Sequence, residues 1–119
     1  MPKTRTFLLK DKRHPQDVLA TLVVNETGKH DTNSYVIRLT NDSSVKLPIV
    51  LGILEKHTGS KVITGKRAAD WISGRATPAG RQNIQETLKA CGLRKYDAWG
   101  IVQAHNCKST KDYIYMEEV

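Results

Sequence analysis

Near residue 50 the spacing of the apolar side chains changes, and a fold made only of strands or only of helices satisfies just one half of the chain. Before that point the period is two. Thr6-Phe7-Leu8-Leu9 reads as a short strand, and residues 18–24, β-rich and apolar on both faces, form the strongest strand candidate. Residues 34–40 alternate cleanly, with Tyr35, Ile37 and Leu39 on one side. The polar stretch 25–33, which contains Gly28, fits a hairpin loop between them. Asn41-Asp42-Ser43-Ser44 is a turn cluster, after which residues 45–50 are expected to pair as a short edge strand ending at Pro48.

After residue 50 the pattern is helical. Ile49, Val50, Ile53 and Leu54 mark one face, with Gly59 as the stop after Thr58. Thr64 is placed to cap a second helix in which Ala68, Ala69 and Ile72 share a face, and Ser73-Gly74-Arg75-Ala76 breaks it. Thr77-Pro78 has the form of an N-cap followed by proline at the first helical position, which predicts a third helix starting there. Its apolar stripe is Ile84, Leu88 and Cys91; Gly92 ends it, and Leu93 folds back over the end. Asp97 opens a fourth helix through Trp99, Ile101 and Val102, and residues 112–116 alternate again, as a strand returning to the sheet would.

The expectation is one α+β domain: a small antiparallel sheet from residues 1–50, three to four short helices from 51–111, and a returning strand in 112–119. A length of 119 residues suits a single core, and with one phenylalanine in the chain Trp71 and Trp99 are the largest pieces available to it. No signal-peptide pattern opens the chain, and the longest apolar run, residues 18–24, is too short to span a bilayer. Two cysteines make no disulfide framework, so a cytoplasmic protein with free thiols and no membrane partner is expected.

Charge narrows the partner. The chain carries +7, and between residues 65 and 95 seven cations (Lys66, Arg67, Arg75, Arg81, Lys89, Arg94, Lys95) face only Asp70 and Glu86, a net +5 in about a quarter of the length. A polyanion is the natural partner for such a segment. Arg81, Gln85 and Lys89 fall at i, i+4 and i+8, turned away from most of the apolar stripe; the cations suit phosphates, while Gln82 and Gln85 suit base edges. Arg75 and Arg81 head the candidates because the guanidinium offers a planar five-donor fork.

Catalytic patterns are missing from this sequence. His105 and Cys107 stand two apart without a second metal-ligand pair, and the four histidines and two cysteines show no zinc spacing. Gly65-Lys66 suggests a phosphate loop, but the first glycine of that motif would have to occupy position 60, which is Ser60. Neither a metal nor a cofactor is expected, and the chain reads as a non-enzymatic binder.

Two resemblances add context. Trp71-Ile72-Ser73-Gly74-Arg75-Ala76-Thr77-Pro78 resembles the end of a phage-repressor-type helix-turn-helix domain, with residues 63–70 where its recognition helix begins and 84–93 as its closing helix. It covers about thirty residues and implies that Thr64, Lys66 and Arg67 face DNA; Gly59-Ser60-Lys61 interrupts the helix that should come first. Across residues 68–119, the string Trp71, Arg75, Pro78, Arg81, Ile84, then Gly92-Leu93-Arg94-Lys95-Tyr96-Asp97 and Asp112 with Tyr115, is similar to uncharacterised small proteins of phages and integrative elements in Gram-positive bacteria. That resemblance implies a mobile-element setting in which small proteins regulate genes or inhibit host defences, CRISPR nucleases included. Three readings follow: a protein binding nucleic acid or a nucleoprotein, such as a CRISPR effector complex, through its basic helical half; an anti-CRISPR-type inhibitor binding the effector protein; and an adaptor or toxin partner binding an acidic protein.

Overall fold

The computed structural model describes residues 3–27, 33–76, 78–108 and 112–119. Its strands are β1 (Lys3–Asp11), β2 (His14–Glu26), β3 (Ser34–Leu39), β4 (Val62–Ile63) and β5 (Ile114–Glu118), and its helices α1 (Ile49–Thr58), α2 (Gly65–Gly74), α3 (Ile84–Ala90) and α4 (Ala98–Ala104). The strands form one antiparallel sheet in the order β4-β3-β2-β1-β5. The chain is an α+β fold, and the tail does return as a strand, on the open side of β1.

Alternation along the strands decides what is buried. Phe7 and Leu9 of β1, Leu22 and Val24 of β2, Tyr35, Ile37 and Leu39 of β3, and Ile114 and Met116 of β5 all face the helices and are buried. The register slips between Leu9↔Ala20 and Lys10↔Val18, leaving Leu19 as the extra residue of a bulge. That slip lets two consecutive residues, Leu19 and Ala20, both be buried. The hydrophobic positions of the four helices meet this face in one cluster, with Leu51 of α1, Ala68 and Ile72 of α2, Leu88 of α3, and Trp99, Ile101 and Val102 of α4.

Trp99 sits at its centre. The indole meets Phe7 and Tyr35 edge-on, with centroids 5.4 and 5.7 Å away, and its Nε1–H donates to Glu26 Oε2 at 2.7 Å. The hydrogen bond satisfies the one polar atom of a large buried side chain. Trp71, by contrast, is only half-buried at the edge of the cluster.

Three sequence expectations are corrected. Residues 45–50 are not an edge strand. Asp42 accepts hydrogen bonds from the backbone N–H and hydroxyl of Ser44, making a turn, and Pro48 (φ −58°, ψ 156°) stands at the N-cap of α1. The edge position falls to β4, whose two residues pair with Ile37 and Arg38. The buried residue of α1 is Leu51, with Val50 and Leu54 beside it, whereas Ile49 and Ile53 are 78% and 46% exposed. Finally, the third helix begins at Ile84, not Pro78; Thr77 lies outside the described residues. Residues 78–83 form turns held by bonds from Arg81 N to Pro78 O and from Ile84 N to Arg81 O. All six are exposed, so a helix there would have no apolar face to bury, and Gly80 disfavours it further.

The end of α3 follows expectation. Gly92 takes a left-handed φ of 74°, Gly92 N bonds Lys89 O, and Leu93 N bonds Leu88 O at 2.8 Å. Leu93 then lies against α4, where a Cβ at Gly100 would come within 2.9 Å of it. Ile37, fully buried between Leu22 and Ile63, tests the core directly: Ile37→Ala is expected to lower unfolding free energy by about 2–5 kcal/mol in a denaturant titration.

Candidate nucleic-acid interface

Eight of the nine sequence candidates lie at the surface of the helical layer. Lys66 and Arg67 stand in the first turn of α2, on the side away from Ala68 and Ile72, after Thr64 in extended conformation. Gly65 takes φ 61°, the left-handed value needed to turn from β4 into α2, which is the physical reason for a glycine before Lys66. The two residues of β4 stand between α1 and α2, so no tight turn joins these helices.

On α3, Gln85 and Lys89 share the exposed side opposite Ile84, Leu88 and Cys91, as their spacing implies. Arg81 and Gln82 belong to the exposed turns before that helix, so Arg81 does not continue its face. Arg94 and Lys95 are exposed in the loop that Leu93 fastens to α4. Lys66 pairs with Asp70 one helical turn on, at 3.2 Å. Among the described residues no ion pair involves Arg67, Arg81, Lys89, Arg94 or Lys95.

Arg75 is the exception, and its assignment as a binding residue is corrected. It caps α2 and turns inward with a side chain only 5% exposed. Its terminal nitrogens reach the two oxygens of Asp112 at 2.9 and 2.7 Å, its Nε donates to Cys107 O at 2.7 Å, and its guanidinium lies 4.9 Å from the Trp71 ring centroid. The fork that marked Arg75 for a phosphate is used on a carboxylate of its own chain. Sequence reasoning missed Asp112 as this partner because 37 residues separate the two and no spacing rule links them. With Arg75 withdrawn, six exposed cations remain between residues 65 and 95 against Asp70 and Glu86.

The residues that could do chemistry are placed differently. Burial pushes the Cys107 thiol up to about 11, while His105 two residues away is exposed. A thiol held so high is scarcely ionised at neutral pH and is a poor nucleophile. The Asp11 carboxyl is drawn below its ordinary range by the side-chain hydrogen bonds of Arg13. For Asp112, burial is the largest single influence and pushes the other way. The hydrogen bonds from Arg75 and from Ile114 N, together with the Arg75 charge, outweigh it and leave the carboxyl below its ordinary range. No group of three or more potential ligands is gathered in a metal-binding arrangement among the described residues. No described helix is long and apolar enough to cross a membrane.

Comparison with protein-family models, curated proteins and solved structures finds no match.

Removing one partner of a buried pair leaves the other charge stranded, so Arg75→Ala is expected to cost about 3–5 kcal/mol of stability, whereas Arg81→Ala stays within about 0.5 kcal/mol. The pair also sets a pH dependence. Because folding depresses the Asp112 carboxyl, its contribution is complete above the unfolded value of about 3.9 and is lost as pH falls through the lower folded value. Thermal melts below about pH 4 are expected to decline more steeply for the wild type than for Asp112→Asn.

Proposed function

We propose that the chain is a non-enzymatic binding protein that engages nucleic acid or a nucleoprotein through the cationic surface of its helical layer. One observation carries the reading: six of the seven cations between residues 65 and 95 project into solvent. They are mounted on elements fixed to the core by Ala68, Ile72 and Leu88. A field of this kind draws a polyanion from a distance and releases its counterions on contact. Lys66, Arg67, Arg81, Lys89, Arg94 and Lys95 take the phosphates, and Gln82 and Gln85, exposed among them, are the candidates for base edges.

The non-enzymatic part rests on the state of the reactive groups. Asp11 and Asp112 are both drawn below the ordinary carboxylate range by arginine, opposite to what a general acid needs, and the Cys107 thiol is pushed up to about 11.

Mobility shift with random-sequence duplex, single-stranded DNA and RNA, at low and moderate salt, tests the proposal. Arg81→Glu with Lys89→Glu changes two exposed groups and is expected to weaken binding by about tenfold or more and to flatten the salt slope by about two. Unchanged binding in that variant would remove the helical layer from the account. Failure to bind any of the three nucleic acids would redirect the reading to a protein partner, such as the bacterial defence nuclease that the resemblance over residues 68–119 implies.

A further inference from the structure

The helices cover one side of the sheet, and the residues of opposite parity form a second face. Leu8 of β1, Val23 of β2, Val36 of β3 and Tyr115 of β5 lie on it, each only partly exposed because its cross-strand neighbours shield it. The register places Arg38, Thr21, Leu8 and Glu117 in one row across β3, β2, β1 and β5. That row begins with a cation and ends with an anion. Among the described residues within the strands, the remaining charge of the face is Lys10, which pairs with Glu117 at 3.0 Å. Within the described strands, two cations against one anion leave +1 here on a chain of +7.

We propose that this face docks a second copy of the chain, sheet on sheet, about a twofold axis running along the strands between β1 and β2. Such an axis carries β2 onto β1 and β3 onto β5. Each Arg38 then stands opposite Glu117 of the partner subunit, twice over by symmetry, while the small apolar side chains of the central strands meet in the middle. Stacked sheets lie about 10 Å apart, a gap that an arginine and a glutamate reaching toward each other can span.

Charge selects this occupant. Two copies at +7 repel each other least where each presents +1, whereas a polyanion gains most on the helical layer. The dimer turns both helical layers outward, so docking here leaves the cations of residues 65–95 exposed. The area sets the strength. Four strands spaced about 4.8 Å apart, over about 20 Å of their length, give roughly 300–400 Å² per copy, well below the roughly 800 Å² of a standard interface. An interface this small is expected to associate weakly, and the proposal stands independently of the proposed function.

Sedimentation equilibrium over about 10 to 500 μM tests it. The wild-type chain is expected to rise toward twice its monomer mass. Arg38→Glu and Glu117→Arg, both at exposed positions and checked for folding by thermal melt, are each expected to stay monomeric because like charges then meet across the axis. An equimolar mixture of the two variants is expected to associate again, since both carboxylates of the first variant then face arginines of the second. A wild type that stays monomeric throughout, dimers indifferent to Arg38→Glu, or a mixture that stays monomeric would each overturn the proposal.

Discussion

Arg75 joins three parts of the chain that are distant in sequence: the end of α2, the turn after α4, and the approach to β5. The turn needs this support. Asn106 and Cys107 both have positive φ, 53° and 63°, which costs free energy for residues with a Cβ. The guanidinium holds Cys107 O, and Asn106 O in turn accepts the N–H of Met116 at 2.9 Å. Asp112 accepts from Ile114 N, and Arg75 also reaches Ile114 O at 3.5 Å. Backbone groups on the outer side of β5 are thereby occupied by the chain itself, one of the ways a sheet edge is protected from adventitious pairing. A charge drawn from the most basic segment stabilises the fold, and the cations left at the surface are those without a structural task of that kind.

The molecule therefore has two faces of different character. The helical layer keeps its cations in solvent because its short helices need apolar side chains only where they touch the sheet. Leu88 is the one buried residue of α3, which leaves Gln85, Glu86 and Lys89 to the surface. Within the described strands the other side of the sheet is nearly neutral, its charges falling in one cross-strand row and the lysine beside it. At the sheet's rim, Arg5 joins β1 to β5 through Glu118, at 2.8 and 2.7 Å, and to β2 through Glu26 at 3.3 Å. The opposition between the faces comes from strand alternation and helix amphipathicity acting on the same core.

Much of this architecture is legible in the sequence, for identifiable reasons. Tyr35, Ile37 and Leu39 alternate without interruption, so β3 is readable almost to the residue. Gly59 and Gly92 mark helix ends because both positions need a left-handed φ, 71° and 74°. The start of α3 is not legible, because Thr77-Pro78 is a sound local signal whereas a short helix persists only where it has something to pack against. The edge strand escapes for a similar reason: β4 has two residues, too few for a period, and its pairing with Ile37 and Arg38 is set by the tertiary fold. The cationic segment is visible as composition. That Arg75 is withdrawn from it depends on Asp112, and nothing local announces a contact 37 residues away.

The central claim is that polyanions meet the helical layer and that Arg75 is not among the residues they touch. Titration of the ¹⁵N-labelled chain with a short duplex and with single-stranded RNA at low salt, followed by amide shifts, tests this most directly. The account predicts salt-sensitive shifts concentrated at Lys66, Arg67, Arg81, Gln82, Gln85, Lys89, Arg94 and Lys95, with Asp112 and the turn at Cys107 undisturbed. Shifts centred on the open face of β1 and β2, or none with either nucleic acid, would contradict it.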